Sequence, residues 1–342
     1  MNPVDGLCIE SFEVKQMKLR KILPGLVAAL GMGVLILDSR TALMAAGQGV
    51  DLCLKTVIPS LFPFFILSGI LTGSLLGVEL PALRPVGRAL GMPNGSETLL
   101  VSGFLGGYPV GAKAVWDAWS EGKIAKEDAE RMLSFCSNVG PAFLFGMAGT
   151  MFSTPGSAWV LWGIHIVSAL AAGWLFRQEP NGGAQSGSLQ NASVPQAMTN
   201  AIRACVQVCG WVIAFRILCS FLERWILWFL PTWAKVTVTG LLELANGCLD
   251  LNTVASEPVR FLLCSGMLSL GGLSVLMQTV SVTRGLRLTY YLQGKLVQTL
   301  FSLLFSVIFL KWISPLWLIA CPLVILPKKL GFRGSIPQKF AV

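Results

Sequence analysis

The chain contains few charged residues. Only 13% of its 342 residues are Asp, Glu, Lys or Arg, whereas soluble domains carry about 25%. Hydrophobic residues make up 54% and come in long blocks, which excludes one large soluble core as their explanation. A spanning helix needs about 20 mostly apolar residues, and several blocks reach or approach that length. The composition predicts a polytopic membrane protein.

Metal ligands and catalytic motifs are also scarce. The chain has one histidine and nine cysteines, and the cysteines form no Cys-x-x-Cys pair. A zinc site needs grouped ligands. The sequence also contains no His-Glu-x-x-His motif and no Ser–His arrangement beyond the lone histidine. We therefore predict no metal, no cofactor and no catalytic residues.

The excess positive charge of +9 is concentrated at the two ends of the chain. Basic residues precede the first apolar block and follow the last one: Lys15, Lys18, Arg20, Lys21, Lys328, Lys329, Arg333 and Lys339. The positive-inside rule then places both termini in the cytoplasm of a bacterial cell. We expect the lipid bilayer, and not nucleic acid, to account for this charge. The first 20 residues contain no apolar signal-peptide core, so no cleaved signal is expected.

A polar segment divides the chain near its middle. Residues 177–197 are rich in Gly, Ser, Asn and Gln, as is typical of a flexible linker. We predict a first half at 22–176 and a second half at 198–327, flanked by cytoplasmic segments at 1–21 and 328–342. The predicted fold class is all-α, with about eight transmembrane helices in two related halves.

Each half contains an apolar stretch interrupted by glycines. The pattern Leu-Leu-x-Ser-Gly-x-Leu, followed by Gly-Gly-x-x-Val, occurs at 99–110 and again at 262–275. Gly and Pro interrupt helices, and breaks at membrane depth are tolerated only inside protein or beside water. We predict a re-entrant helical hairpin at each stretch, with the two glycine pairs facing each other. Four apolar blocks, at about 131–151, 156–176, 205–222 and 225–242, lie between the hairpins. Inverted repeats require an odd number of crossings there, so either one block does not span the membrane or the repeats are parallel.

Such paired breaks predict a transporter with its binding site at the repeat interface. A broken helix leaves unpaired N–H groups at one end and unpaired C=O groups at the other, which bind polar solutes where water is scarce. The candidate binding residues are Gly107, Tyr108, Pro109, Gly111, Lys113, Asn138, Gly140, Pro141, Glu243, Asn246, Gly272, Ser274 and Gln278.

Two of these candidates are charged. An intramembrane cation is by default a functional group, so we predict that Lys113 binds an anionic solute. The alternatives are that it reaches water or pairs with Asp117, four residues later. Glu243 lies in an apolar run with Asn246 one turn further on, and is a candidate for coupling to H⁺ or Na⁺. The alternative is a helix-end residue that faces solvent.

Two motifs resemble a known family. GYPVGAK at 107–113 and SNVGPAF at 137–143 are similar to segments of the YlbJ-like sporulation integral membrane proteins, of the nucleoside-recognition (Gate) domain superfamily. The resemblance extends over about residues 26–310. It implies a Gate-like unit in each half, transport of the dianionic aromatic solute dipicolinic acid, and a location in the membrane around the developing spore.

The expected function is transport of a small anionic or nucleoside-like solute, with H⁺ or Na⁺ as a candidate coupling ion. The alternative is a structural or scaffold membrane protein that is required for spore formation and transports nothing. A scaffold gains nothing from costly breaks in its helices, which favours transport. The sequence leaves open whether the protein is a homo-oligomer.

Overall fold

The computed structural model describes residues 22–154, 156–183 and 193–325, with side chains described as far as Lys311 except at residue 148. The predicted cytoplasmic segments at 1–21 and 328–342 lie outside the described residues, as does part of the predicted linker. Within these ranges the chain is helical and contains no β-strand. The all-α class predicted from the sequence is confirmed.

The helices range from 6 residues in α4 and α8 to 37 residues in α15. Their bounds are α1 Ile22–Leu37, α2 Ser39–Leu52, α3 Ile58–Leu75, α4 Arg84–Ala89, α5 Glu97–Leu105, α6 Val110–Ser120, α7 Lys126–Met132, α8 Pro141–Gly146, α9 Ser157–Leu175, α10 Val194–Trp225, α11 Thr232–Leu242, α12 Leu244–Asp250, α13 Glu257–Leu270, α14 Gly272–Val282 and α15 Thr289–Ile325. A π-helical turn at Cys53–Val57 joins α2 to α3 without interruption. Helix α10 begins inside the region predicted as linker.

Five helical segments among the described residues are long and apolar enough to cross a membrane. They are Ser39–Leu75, Ser157–Leu175, Val194–Trp225, Glu257–Val282 and Thr289–Lys311. Helices α5, α6, α11 and α12 have at most 11 residues, about 16 Å of helix, roughly half of the hydrocarbon thickness. Fewer candidate spans are found than the eight predicted because Ile22–Leu37 and Pro141–Met151 are shorter apolar helices and α11 has only 11 residues.

The outer surface is apolar and polar contacts lie inside, as expected in lipid. Leu30, Trp228 and Leu300 are each about two-thirds exposed. Inside, the hydroxyl groups of Ser265 and Ser302 lie 2.6 Å apart between α13 and α15. Burying such groups costs little when they hydrogen-bond to each other.

Helices α5 and α6 form the helical hairpin predicted for the first half. They cross so closely that a Cβ atom on Gly111 would lie 2.6 Å from the Cα atom of Gly103. Both glycines also lie against the backbone of Cys136, in the segment between α7 and α8. The hairpin therefore packs with backbone contacts that only glycine permits.

The predicted position of the second hairpin is wrong. Helix α13 packs along α9 and α15, whereas α14 packs against α10, α11 and α6, so these two helices do not lie side by side. The left-handed conformations of Gly271 and Gly272 (φ +83° and +77°) bend the chain into a new direction without reversing it. A glycine pair permits either outcome, and the packing partners of α14 decide between them.

The second hairpin is formed instead by α11 and α12, which pack against each other. The chain reverses at Glu243, the single residue between these helices. A Cβ atom on Gly247 would lie 2.7 Å from the backbone nitrogen of Gly240. Both halves thus have the same order of elements: a hairpin whose two helices cross at glycines, followed by a broken helix. In the first half these are α5–α6 and α7–α8, and in the second half they are α11–α12 and α13–α14.

Candidate functional site

Each hairpin tip lies against the helix break that follows it in the chain. A Cβ atom on Gly107 would lie 3.1 Å from the backbone nitrogen of Gly140, between α7 and α8. In the second half, a Cβ atom on Gly272 would lie 2.9 Å from the carbonyl oxygen of Gly240. The breaks therefore expose backbone groups to the neighbouring hairpin, and not to lipid.

Tyr108 connects the two halves. Its hydroxyl group donates a hydrogen bond to the carbonyl oxygen of Leu268, at 3.2 Å, in the last turn of α13. A Cβ atom on Gly271 would lie 3.4 Å from Cζ of the same ring. The segments around the two glycine pairs therefore meet, as the sequence predicted.

A cavity of about 40 Å³ lies where the hairpin tips and helix breaks converge. The lining is mostly apolar: Val57, Leu61, Tyr108, Val139, Gly140, Phe143, Val208, Val212, Glu243, Leu244, Ala245, Val275 and Gln278. Four of the predicted site residues, Tyr108, Gly140, Glu243 and Gln278, line it. Since this volume holds only a few water molecules, an organic solute fits here only if the surrounding helices move apart.

Other predicted residues lie just behind this lining. Ser274 is buried and accepts a hydrogen bond from Nε2 of Gln278 at 3.2 Å, which orients that amide. Asn246 is also buried, and its side-chain oxygen and nitrogen have no partner within the described residues. Pro141 begins α8, and Pro109 precedes α6 and lines a separate outer cleft.

Glu243 is a buried carboxylate at the tip of the second hairpin. Its side chain is 2% exposed, so the alternative of a solvent-facing helix end is wrong. One carboxylate oxygen accepts a hydrogen bond from the backbone N–H of Asn246, at 2.6 Å, and caps the start of α12. The carboxylate therefore both closes the hairpin and lines the cavity.

Lys113 lies elsewhere, in an outer cleft of about 600 Å³ between α3, α6 and α10. Its ammonium group forms an ion pair with Asp117 at 2.6 Å, and about a third of each side chain is exposed. The pairing with Asp117 that the sequence left as an alternative is therefore present. Lys113 does not line the inner cavity.

We expect Lys113→Ala to change the thermal stability of the purified protein only slightly. A partly exposed ion pair within one helix contributes about 0–1 kcal/mol. Asp117→Asn, which removes the other partner, should give a similarly small shift in the melting temperature Tm. A large fall in Tm for Lys113→Ala alone would show that the lysine has a partner more important than Asp117.

The most enclosed cation of this region is Lys295 on α15, which the sequence reasoning missed. Its ammonium group, 2% exposed, donates hydrogen bonds to the Tyr108 hydroxyl at 2.9 Å, to Oε1 of Gln298 at 2.8 Å and to the carbonyl oxygen of Ser137. Gly294 lets α15 approach this closely, since a Cβ atom there would lie 2.6 Å from the Cα atom of Ser134. The rule that marked Lys113, a lysine within an apolar run, applies equally to Lys295.

A chain of hydrogen bonds extends from Lys295 into the first break. The amide nitrogen of Gln298 donates to Oδ1 of Asn138 at 3.0 Å, and the amide nitrogen of Asn138 donates to the carbonyl oxygen of Phe135 at 2.6 Å. The backbone N–H of Val139 donates to Nε2 of His165, at 3.2 Å. The predicted residue Asn138 thus stabilises the backbone conformation of the break and does not line the cavity.

Comparison with known proteins gives one relative. The chain is 32% identical over 170 residues to the sporulation integral membrane protein YlbJ of Bacillus subtilis (strain 168), a match that covers 47% of this chain and 41% of the relative. The chain therefore matches less than half of the length of that relative. No protein-family model matches the chain, and no solved structure matches it. The predicted resemblance to the YlbJ-like sporulation integral membrane proteins is confirmed, and the five long apolar helices among the described residues make the chain a multi-pass membrane protein.

Proposed function

We propose that the protein transports a small polar solute, bound in the cavity between the two hairpin tips. The observation that carries this proposal is the convergence of two hairpins and two broken helices on one cavity lined by Tyr108, Glu243 and Gln278. Broken helices within a membrane are costly unless their free backbone groups are used. A binding site at the interface of two repeats is the usage expected of a transporter.

The order of the helices supports inverted repeats. Between the two hairpins lie the α7–α8 segment, α9 and α10. If the α7–α8 segment crosses the membrane once, three crossings separate the hairpins, and the second enters from the opposite side. The sequence reasoning found four crossings because it treated 225–242 as a span, whereas residues 232–242 form the first arm of the hairpin.

The lining suggests how an anion is accommodated. Its aliphatic and aromatic side chains suit a flat apolar ring, and its polar groups lie around Glu243 and Gln278. An ionised Glu243 would repel a dianion, whereas a protonated Glu243 donates a hydrogen bond to a carboxylate. We therefore propose that dipicolinate, the solute implied by the family resemblance, is carried together with a proton on Glu243.

Uptake into proteoliposomes tests this proposal. Purified protein in sealed liposomes should accumulate radiolabelled dipicolinate when the exterior is more acidic than the lumen, and uridine in the same assay tests the nucleoside-like class. Protein-free liposomes give the background. If neither solute enters above background in either direction of the proton gradient, the scaffold function is favoured instead.

We expect Glu243→Gln to lose the roughly tenfold accumulation of dipicolinate that a gradient of about one pH unit can drive, because the glutamine amide still donates a hydrogen bond to a carboxylate but carries no titratable proton. The glutamine oxygen still accepts the N–H of Asn246, so Tm should change little. Glu223→Gln on α10, a half-buried carboxylate that pairs with Arg216, is the matched control and should retain uptake. Uptake by Glu243→Gln that is equal to wild type and equally dependent on the proton gradient would exclude Glu243 as the proton carrier.

A further inference from the structure

The ammonium group of Lys295 is enclosed by oxygen atoms from three separate elements. The Tyr108 hydroxyl comes from the first hairpin tip, the Ser137 carbonyl from the α7–α8 break, and the Gln298 amide oxygen from α15. A lysine ammonium has three N–H donors, so these acceptors satisfy all of them. The ring of Tyr108 also lies under the ammonium, 4.9 Å from the ring centroid.

None of these partners is a carboxylate. Within the part of the chain that the structure describes, Lys295 forms no salt bridge, unlike the buried Arg131, which pairs with Asp128. His165, which lies close by on α9, accepts a hydrogen bond at Nε2 from the Val139 N–H and so provides no negative charge. A buried charge without a counter-ion is costly, which argues against a purely architectural role for this lysine.

The set of ligands is the kind that coordinates a small monovalent cation. Carbonyl, hydroxyl and amide oxygens are hard neutral ligands, and a helix break supplies the carbonyl of Ser137 without a competing helical N–H. We propose that the first break contains a monovalent-cation site that the chain fills with its own tethered ammonium group, Lys295. The ammonium group links the first hairpin tip, the α7–α8 break and α15 through hydrogen bonds, and it orients the Tyr108 hydroxyl toward Leu268.

This proposal goes beyond transport, and it can be tested without a known solute. It predicts that a free primary ammonium ion binds once the tethered one is removed. Lys295→Ala deletes three methylene groups and the ammonium, which n-propylammonium replaces atom for atom. We expect Lys295→Ala to have a lower Tm than wild type, and n-propylammonium chloride at tens of millimolar to restore at least half of that loss.

Three controls separate charge from filled volume. 1-Propanol, which has a similar shape without charge, should restore little in Lys295→Ala. Lys295→Met fills the same space with an uncharged side chain, so n-propylammonium should not raise its Tm. Wild type and Lys113→Ala should not respond to the amine either. Restoration by propanol and amine alike would overturn the proposal, because it would show that only packing is lost.

The proposal stays testable if Lys295→Ala does not fold. Protein that can be purified only in the presence of n-propylammonium would support it. Protein that fails with and without the amine, while Lys295→Met folds with the wild-type Tm, would overturn it. If neither variant folds, Tyr108→Phe decides, since it keeps the ammonium and removes one of its acceptors together with the neutral bond to Leu268. Ser265→Ala, which removes a buried hydroxyl bonded only to neutral groups, is its control: a larger fall in Tm for Tyr108→Phe supports the cation site, and an equal or smaller fall contradicts it. None of these results depends on whether the protein transports dipicolinate.

Discussion

Gly111→Ala is expected to prevent the first hairpin from closing, and so to abolish the folded protein. The added Cβ atom would overlap the carbonyl oxygen of Cys136 and lie 2.6 Å from the Cα atom of Gly103. These are backbone atoms in the middle of packed elements and cannot move aside as a flexible side chain does. Overpacking of this kind costs about 3 kcal/mol or more. Fluorescence-detected size-exclusion chromatography of a fluorescent-protein fusion should show loss of the monodisperse peak.

Gly163→Ala is the matched control for this substitution. Gly163 also lies within a helix, α9, and a Cβ atom there meets nothing within 4 Å, so the peak should remain. Gly247→Ala should be as harmful as Gly111→Ala, since its Cβ atom would lie 2.7 Å from the backbone of Gly240 in the second hairpin. A well-folded Gly247→Ala would contradict the assignment of α11 and α12 as the second hairpin.

Arg131→Ala should destabilise the protein by about 3–5 kcal/mol, the usual cost of removing one partner of a buried ion pair. The Arg131 guanidinium is 1% exposed and donates to Asp128 at 3.0 Å. It also donates to the carbonyl oxygens of Leu90 and Gly91, at the end of α4. Its loss leaves two buried carbonyl groups without their donor and a buried carboxylate without its cation, with only the backbone N–H of Asn181 still donating to it. The fall in Tm in detergent measures the effect.

Arg177→Ala provides the comparison, because Arg177 is about half exposed and lies 3.9 Å from Glu179. Removing it should change stability by no more than about 1 kcal/mol.

In the double variant Asp128→Asn with Arg131→Ala, the buried carboxylate is gone as well, so the loss of stability should be smaller than the sum of the two single losses. Strict additivity would mean that the pair does not act as a unit.

Much of the fold could be predicted from composition and glycine placement. Long apolar blocks predict spanning helices, and the glycines from 103 to 111 predict where α5 and α6 pack against each other; the re-entrant path of this hairpin stays a prediction. The second hairpin could not be found in the same way, because it reverses at Glu243 without Gly or Pro at its tip. Its signal is the spacing of Gly240 and Gly247, one on each arm, close to that of Gly103 and Gly111. A glycine in the sequence can be assigned to a close helix crossing only when the partner helix is known.

The sequence predicted several residues that line the cavity but not the buried cation beside it. Tyr108, Gly140, Glu243 and Gln278 line the cavity, yet the sequence favoured Lys113 as the cation near the solute. Which of two lysines is enclosed depends on what packs over it, and that is a tertiary property. Lys295 is enclosed because α15 passes the first break at Gly294, a contact between residues about 160 positions apart.

Helix α10 has 32 residues and is therefore about 48 Å long, whereas the hydrocarbon core is about 30 Å thick. Even with the average tilt of about 20°, several turns must extend into the aqueous phase. Ser193, Gln196 and Asn200, in its first turns, line the outer cleft that reaches Pro109 at the first hairpin tip. In the transport function proposed above, a solute would therefore reach the hairpin still hydrated and would lose water only between the two tips.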